Sequence, residues 1–253
     1  MSERELIGLG GLVLLFFILA LRVPVGLAMI GIGIGGNYVL SLFFPFLRFE
    51  PYLQQFKSLF YGIVSNYELS VVPLFVLMGY LASQANLSRD LFQGVNAILG
   101  RFRGGVAMAA IGACAGFGAV CGSSLATAST MGKVALPELR RLNYSPRLAT
   151  GTLAAGGTLG ILIPPSVALV IYAVTVEASI IQMFQAAIIP GLIAVAFFMG
   201  VIAIQVRLNP SLAPIPEPMA PAERREALLR LIPVIVIFGS IILGLGAGLF
   251  TPT

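Results

Sequence analysis

The stretch at residues 104–133 constrains the fold of this chain more than any other. It reads GGVAMAAIGACAGFGAVCGSSLATASTMGK and carries no charge before the lysine at its end. One helix of that length would cross the roughly 30 Å hydrocarbon core of a bilayer. However, Gly122, Ser123 and Ser124 place a flexible backbone and two hydroxyls in its middle. We therefore predict a re-entrant hairpin over residues 105–132 that turns at these three residues; the alternative is one transmembrane helix whose small residues serve close packing.

Basic residues flank both ends of this stretch. Two arginines precede it, a lysine ends it and two arginines follow it: Arg101, Arg103, Lys133, Arg140 and Arg141. Because Lys and Arg are retained on the cytoplasmic side of a membrane, both ends are expected there. With the N-terminus outside and a hairpin that does not cross, twelve of the 15 Lys and Arg residues fall on the cytoplasmic side and three outside. A crossing would remove that bias, so the charge count favours the hairpin.

Composition places the chain among polytopic, all-α membrane proteins. Hydrophobic residues make up 58% and charged residues 10% of the 253 residues, and the mean hydropathy is +0.99, which few soluble domains reach. The chain has no His and a single Asp, Asp90. It therefore lacks a Ser-His-Asp triad, an HExxH zinc site and an aspartyl dyad, and we expect no enzyme and no bound cofactor. The net charge of +5 lies in short loops, where it indicates topology and not nucleic-acid binding.

The first third of the chain divides by its hydrophobic pattern. Residues 1–85 are predicted to hold the first three transmembrane helices, with a loop at residues 48–67. Residues 86–104 are amphipathic, and their apolar stripe consists of Leu91, Val95, Leu99 and Phe102. This pattern predicts a helix that lies at the membrane interface; a solvated connector helix is the alternative.

A double proline interrupts the next apolar run. Residues 133–182 are predicted to form a broken transmembrane helix that begins at Ser145 and Pro146 and unwinds at IPPS, residues 163–166. Two adjacent prolines remove two backbone donors; the alternative is a kinked helix whose neighbours satisfy the freed groups. Three further segments are predicted: a transmembrane helix at 183–206, a Pro-rich cytoplasmic linker at 207–230 and a membrane helix at 231–253.

The hairpin tip and the helix break form the candidate site. No ionisable residue lies inside the apolar segments, so a proton relay is not expected. Freed carbonyls with Ser and Thr hydroxyls suit a small cation such as Na⁺, and the positive ends of half-helices suit an anionic group. The residues themselves indicate seven candidates: Ser123, Ser124, Thr127, Gly157, Thr158, Pro164 and Ser166. Alternatively, the two threonines only hydrogen-bond within their own helices.

Four motifs resemble the large membrane subunit of tripartite ATP-independent periplasmic (TRAP) transporters. They are RVPVG at 22–26, VPLFVLMG at 72–79, CGSSLATA at 121–128 and LGILIPPS at 159–166. The resemblance implies an elevator-type carrier of the ion-transporter superfamily in the bacterial inner membrane, with a periplasmic N-terminus. It implies Na⁺-coupled uptake of an organic acid, such as a C4-dicarboxylate or a sugar acid. It also implies two partners, a periplasmic substrate-binding protein and a small four-helix membrane subunit.

The same resemblance assigns roles to the candidate site. The cation-binding residues would be Gly122, Ser123, Ser124, Thr127, Gly160, Ile163 and Pro164, and the substrate-facing residues would be Gly157, Thr158, Pro165 and Ser166. The family's large subunit has two such repeats, so the chain is expected to be the first repeat plus the start of a second, inverted one. Two other functions stay open: a related anion/Na⁺ symporter without a binding protein, and a non-transporting membrane scaffold.

Overall fold

Helices make up almost all of the regular structure. The computed structural model describes residues 3–44, 46, 48–214, 219–246 and 249, and no β-strand occurs among them. The α-helices are α1 (Glu3–Ala20), α2 (Val25–Phe43), α3 (Phe49–Val64), α4 (Val71–Gln84), α5 (Leu87–Leu99), α6 (Gly105–Cys121), α7 (Ser124–Arg141), α8 (Pro146–Leu162), α9 (Val167–Thr175), α10 (Ile180–Leu208) and α11 (Pro221–Gly246). The predicted all-α class is confirmed.

Several of these helices suit a bilayer by length and composition. Within the described residues, α2 and α10 are each long and apolar enough to cross a membrane. Helices α8 and α9 meet the same condition together, with a bend of 42° between them, whereas α1 and α6 are apolar but shorter. Large apolar side chains of α10 are exposed, including Leu192 and Phe197. Exposed apolar surface of this extent is typical of a protein that lies in lipid.

The first of two compact units, Met1–Asn66, consists of α1 to α3. The loop predicted at residues 48–67 is wrong, because α3 occupies most of it. Its aromatic residues recur at helical spacing, and the rings of Phe56 and Phe60 stack at 6.3 Å. Pro51 lies in the first turn of α3, where the helix needs no backbone donor, so it does not prevent the helix from forming.

Helix α6 is the centre of the second unit, Tyr67–Thr253. Nearly all its residues are buried, and α4, α5, α7, α8 and α10 all contact it. A helix that is apolar on every side is expected to be enclosed in this way. Because Gly and Ala dominate its sequence, neighbouring backbones can approach it closely. Helix α6, the first half of the stretch at residues 104–133, is therefore the packing core of this unit.

Helix α5, which covers most of the predicted amphipathic segment at residues 86–104, lies between two other helices. On one side, Leu91 packs against Gly116 of α6, and on the other side Gly94 lies against Leu231 of α11. A Cβ added at Gly94 would lie 2.9 Å from the Leu231 Cβ, so only glycine allows this approach. The position of α5 at the membrane interface stays a prediction. The predicted apolar stripe also ends too late, since α5 ends before Phe102, which is 48% exposed.

Helix α11 is continuous where the sequence predicted a boundary between residues 230 and 231. Ala227, Leu231 and Val234 are all buried, and their spacing keeps them on one face of a single helix. Contacts with α5 therefore stabilise α11 on both sides of Pro233, so the helix continues past this residue. The Pro233 side chain itself is exposed. Residues 247–253 of the predicted helix, apart from Leu249, lie outside the described residues.

Two hydrogen bonds fix the first part of the Pro-rich linker to the rest of the second unit. The Ser145 N–H donates a hydrogen bond of 3.0 Å to the Leu212 carbonyl oxygen. The Arg103 guanidinium donates one of 3.3 Å to the Pro210 carbonyl oxygen. These bonds tie the linker to the turns that precede α6 and α8, so this part is a bound segment and not a free spacer. Residues 215–218 of the predicted linker lie outside the described residues.

Candidate cation and substrate site

The hairpin turns at the predicted residues. Helix α6 ends at Cys121, and Gly122 follows with a φ of 62°, in the left-handed region that glycine adopts without strain. Its N–H donates to the Gly118 carbonyl oxygen at 2.7 Å, which closes the helix end. Ser123 is extended, and its hydroxyl accepts the Ala126 N–H at 3.4 Å as the N-cap of α7. The chemistry of a Gly C-cap and a Ser N-cap thus produces the tip.

The helix break also lies where the prolines predict it. Helix α8 ends at Leu162 and α9 begins at Val167. Between them Pro164 and Pro165 are buried. The Ser166 hydroxyl is fully buried and donates a hydrogen bond of 2.9 Å to the Ile161 carbonyl oxygen. The break is therefore a packed joint whose polar groups are partly satisfied within the chain.

The tip of the hairpin and the joint of the broken helix are in direct contact. The Gly122 carbonyl oxygen accepts a hydrogen bond from the Val167 N–H at 3.3 Å. A Cβ added at Gly122 would lie 3.1 Å from that nitrogen and 3.3 Å from the Pro165 carbonyl oxygen. The N-terminus of α9 is thus bonded to the C-terminal cap of α6. A backbone hydrogen bond thus joins the two segments of the candidate site.

Small residues bring α8 against both arms of the hairpin. A Cβ added at Gly118 of α6 would lie 2.5 Å from the Gly160 Cα, and one added at Gly157 would lie 2.6 Å from the Ala128 Cβ of α7. Gly118 and Ala128 are contact residues that the sequence argument missed. The signal for Gly118 was present, because Gly118 and Gly122 are four residues apart, as are Gly156 and Gly160, a spacing typical of closely packed membrane helices.

Four helix ends meet at this place. Helices α6 and α8 end here and α7 and α9 begin here, and the contacts of Gly118 with Gly160 and of Gly122 with Val167 bring these ends together. A helix carries about half a negative charge at its C-terminus and half a positive charge at its N-terminus. Helix C-termini in general suit a cation and helix N-termini suit an anion, which is the chemistry that the sequence predicts for these residues. No cluster of His, Cys, Asp or Glu that could hold a metal occurs in the described part of the chain.

Hydrogen bonds separate the predicted side chains into occupied and free groups. The Thr127 hydroxyl donates a hydrogen bond of 2.8 Å to the Ser123 carbonyl oxygen. The same oxygen also accepts a hydrogen bond of 3.0 Å from the Thr127 N–H. The Thr158 hydroxyl lies on an exposed side of α8 and donates to the Ala155 carbonyl oxygen at 2.7 Å. Both threonines thus bond within their own helices, the alternative that the sequence left open. Among the predicted hydroxyls of the described residues, only that of Ser124 makes no hydrogen bond.

A helical hairpin in contact with a broken helix, in a chain whose described residues form apolar helices and no strand, defines a membrane protein with discontinuous helices. Residues 12–253 match the family described as "Tripartite ATP-independent periplasmic transporter, DctM component". The chain therefore belongs to this family of TRAP transporter large permease subunits, and the resemblance drawn from its motifs is confirmed.

Relatives with curated names include transporters of several acids. The chain is similar to the C4-dicarboxylate TRAP transporter large permease protein DctM of Pseudomonas aeruginosa, with 34% identity over 88% of this chain and 50% of that protein. It is 32% identical to the protein of the same name in Vibrio cholerae, over 95% of this chain and 52% of that protein. It is 28% identical to the sialic acid TRAP transporter permease protein SiaT of Haemophilus influenzae, over 93% of this chain and 38% of that protein. The chain thus spans about half the length of the first two relatives.

Proposed function

We propose that this chain is part of the large membrane subunit of a TRAP secondary transporter, which takes up an organic acid together with Na⁺ across the bacterial inner membrane. Membership of the permease family supports the transport function. The observation that carries the proposal is the contact between Gly122 and Val167, which unites two discontinuous segments. Discontinuous helices of this kind form substrate and ion sites in secondary transporters.

Sodium is proposed as the coupling ion because of the chemistry of the available ligands. The tip and the joint offer carbonyl oxygens at the ends of α6 and α8 and the free Ser124 hydroxyl, all of which are neutral. Neutral oxygen atoms suit a monovalent metal ion, whereas proton coupling needs an ionisable side chain inside the membrane. No Asp, Glu or His lies between residues 105 and 132 or between residues 146 and 176. Gly122, Gly160, Ile163 and Pro164 would contribute backbone, and Ser123 and Thr127 would position the tip.

An organic acid is proposed as the substrate because an anionic group fits the positive N-termini of α7 and α9. Relatives are named for C4-dicarboxylate, isethionate and sialic acid, all of which carry an acidic group. Gly157, Pro165 and Ser166 would face this group, together with residues of the remainder of the large subunit. Helices α6 to α9 would then move as one body in an elevator-type carrier, since tight glycine contacts hold them together.

Two protein partners complete the proposal. The family description names a tripartite, periplasmic system, and we infer a periplasmic substrate-binding protein and a small four-helix membrane subunit as the other components. The N-terminus would be periplasmic, because that orientation places most Lys and Arg residues on the cytoplasmic side.

Reconstitution tests the proposal directly. The large subunit that carries this sequence, its small subunit and its loaded binding protein are combined in proteoliposomes, and uptake is measured under a Na⁺ gradient, a proton gradient, or neither. We expect uptake only with inward Na⁺ and only with the binding protein present. Uptake without the binding protein would instead support a two-component symporter, and uptake driven by protons alone would rule out Na⁺ coupling.

A further inference from the structure

A charged cavity lies between α5, α7 and α11, away from the hairpin tip. It has a volume of about 490 Å³, and three arginines and three glutamates line it: Arg89, Glu138, Arg141, Glu223, Glu226 and Arg230. Phe92, Val134 and Ala227 give it an apolar part. Because charges of both signs face one space beside apolar side chains, the cavity suits a ligand with both signs and an apolar portion.

Most of these charges are already paired within their own helices. Arg141 contacts Glu138 at 2.7 Å, and Arg230 contacts Glu226 at 2.7 Å and Asp90 of α5 at 3.9 Å. Arg89 and Glu223 differ from them, since neither has an ion-pair partner within the part of the chain that the structure describes. One cation on α5 and one carboxylate on α11 therefore remain available to a ligand.

In the proposed orientation we expect the cavity at the depth of lipid headgroups. The apolar run of α11 begins at Leu231, directly after Arg230, and the charged end of α7 includes Glu138 and Arg141. Charged residues next to an apolar helix segment are expected at the membrane–water boundary. The positive residues around the cavity also place it on the cytoplasmic side in the proposed orientation.

We infer that this cavity binds the headgroup of a zwitterionic phospholipid with a primary ammonium group, that is, a phosphoethanolamine group. The Arg89 guanidinium would bind the phosphate, since Arg donates two parallel hydrogen bonds to such oxygens. The Glu223 carboxylate would accept a hydrogen bond from the ammonium group. A phosphocholine headgroup has no N–H to donate, so Glu223 would discriminate between the two lipids.

Lipid titration followed by native mass spectrometry tests this site. The delipidated large subunit carrying this sequence is titrated with dioleoyl phosphatidylethanolamine, dioleoyl phosphatidylcholine or dioleoyl phosphatidylglycerol. We expect the ethanolamine lipid to bind about tenfold more tightly than the choline lipid. Arg89→Gln should weaken both, and Glu223→Gln should abolish the preference. Arg225→Gln is the matched control, because it removes a charge from the same turn of α11 outside the cavity lining.

Three outcomes would overturn the inference: equal binding of the ethanolamine and choline lipids, stronger binding of the glycerol lipid, or an equal loss in Arg225→Gln. All three substituted side chains are exposed, and size-exclusion chromatography verifies that each variant is folded. Soluble O-phosphoethanolamine then identifies the source of the headgroup. Displacement of the lipid by this compound at equal concentration indicates a free metabolite, and failure to displace it indicates the lipid; both results support the same headgroup chemistry.

Discussion

Gly160 of α8 lies directly against Thr127 of α7: a Cβ added to the glycine would lie 2.6 Å from the threonine hydroxyl oxygen and 2.8 Å from the Ser123 carbonyl oxygen. The two helices are therefore as close as their backbones permit. The Thr127 hydroxyl also bonds to the Ser123 carbonyl oxygen, so α8 packs directly against the hairpin tip.

Gly160→Ala should separate α8 from the hairpin tip. The added methyl group meets backbone and a fixed hydroxyl, and overpacking of this kind costs about 1–3 kcal/mol. We expect a lower thermal unfolding temperature of the purified large subunit and loss of Na⁺-driven uptake. Gly151→Ala is the control, since Gly151 lies in the same helix with no atom within 4 Å of an added Cβ. Wild-type uptake by Gly160→Ala would show that this contact is not needed for transport.

Ser124→Ala should weaken Na⁺ binding. Among the predicted site hydroxyls of the described residues, only that of Ser124 makes no hydrogen bond within the chain, so it is available to the ion. Loss of this neutral ligand should raise the Na⁺ concentration for half-maximal uptake about tenfold. Ser129→Ala, with an exposed serine farther along α7, should leave the Na⁺ dependence unchanged. The measurement is initial uptake in proteoliposomes over a range of Na⁺ concentrations. An unchanged half-maximal concentration in Ser124→Ala would place the ion elsewhere.

Replacement of Pro164 and Pro165 together by Ala should let the helix continue through the joint. The new N–H groups can close the backbone ladder, which removes the carbonyl oxygens from the site. We expect loss of uptake while membrane insertion persists, as measured by fractionation and by proteoliposome assay. Pro190→Ala is the control, because Pro190 is exposed inside the continuous helix α10. Normal uptake by the double variant would show that the two prolines only kink the helix and are not needed for transport.

Cysteine labelling should test the orientation of the hairpin. With Cys114 and Cys121 replaced by Ser, single cysteines at the exposed positions Ala85, Asn143 and Ser179 are treated with an impermeant maleimide. We expect Ala85→Cys and Asn143→Cys to react only from the cytoplasmic side and Ser179→Cys only from outside, as the charge count predicts. Labelling of the first two positions from opposite sides would mean that the segment between them crosses the membrane.

Gly94→Val should displace α11 from α5. The larger side chain meets Leu231 at the point where the two helices touch, so we expect destabilisation of about 1–3 kcal/mol. Thermal unfolding of the purified subunit, followed by intrinsic tyrosine fluorescence, measures the effect. Gly200→Val provides the comparison, because an added Cβ at Gly200 has no neighbour within 4 Å. Equal unfolding temperatures for both variants would mean that the α5–α11 contact does not contribute to stability.

Local chemistry explains why the sequence predicted the two most informative breaks correctly. Gly122 and Ser123 end one helix and begin the next through a left-handed cap and an N-cap, and Pro164 and Pro165 lack the donors that a helix requires. Each signal acts within about one turn of helix. The same limited range explains two wrong predictions. The aromatic residues of α3 indicate a loop when each is considered alone, and the charged start of α11 indicates a helix boundary that the structure does not have.

The sequence alone determined the all-helical class, the TRAP permease family, the position of the hairpin turn and the position of the helix break. Only the tertiary structure decided that the turn and the break are in direct contact, that Thr127 and Thr158 bond to their own helices, and that α5 lies between α6 and α11. The contacts Gly122–Val167, Gly118–Gly160 and Gly94–Leu231 join residues far apart in the chain. Such contacts depend on which small residues face one another after the helices pack, and no local pattern of hydrophobicity or turn chemistry specifies that pairing.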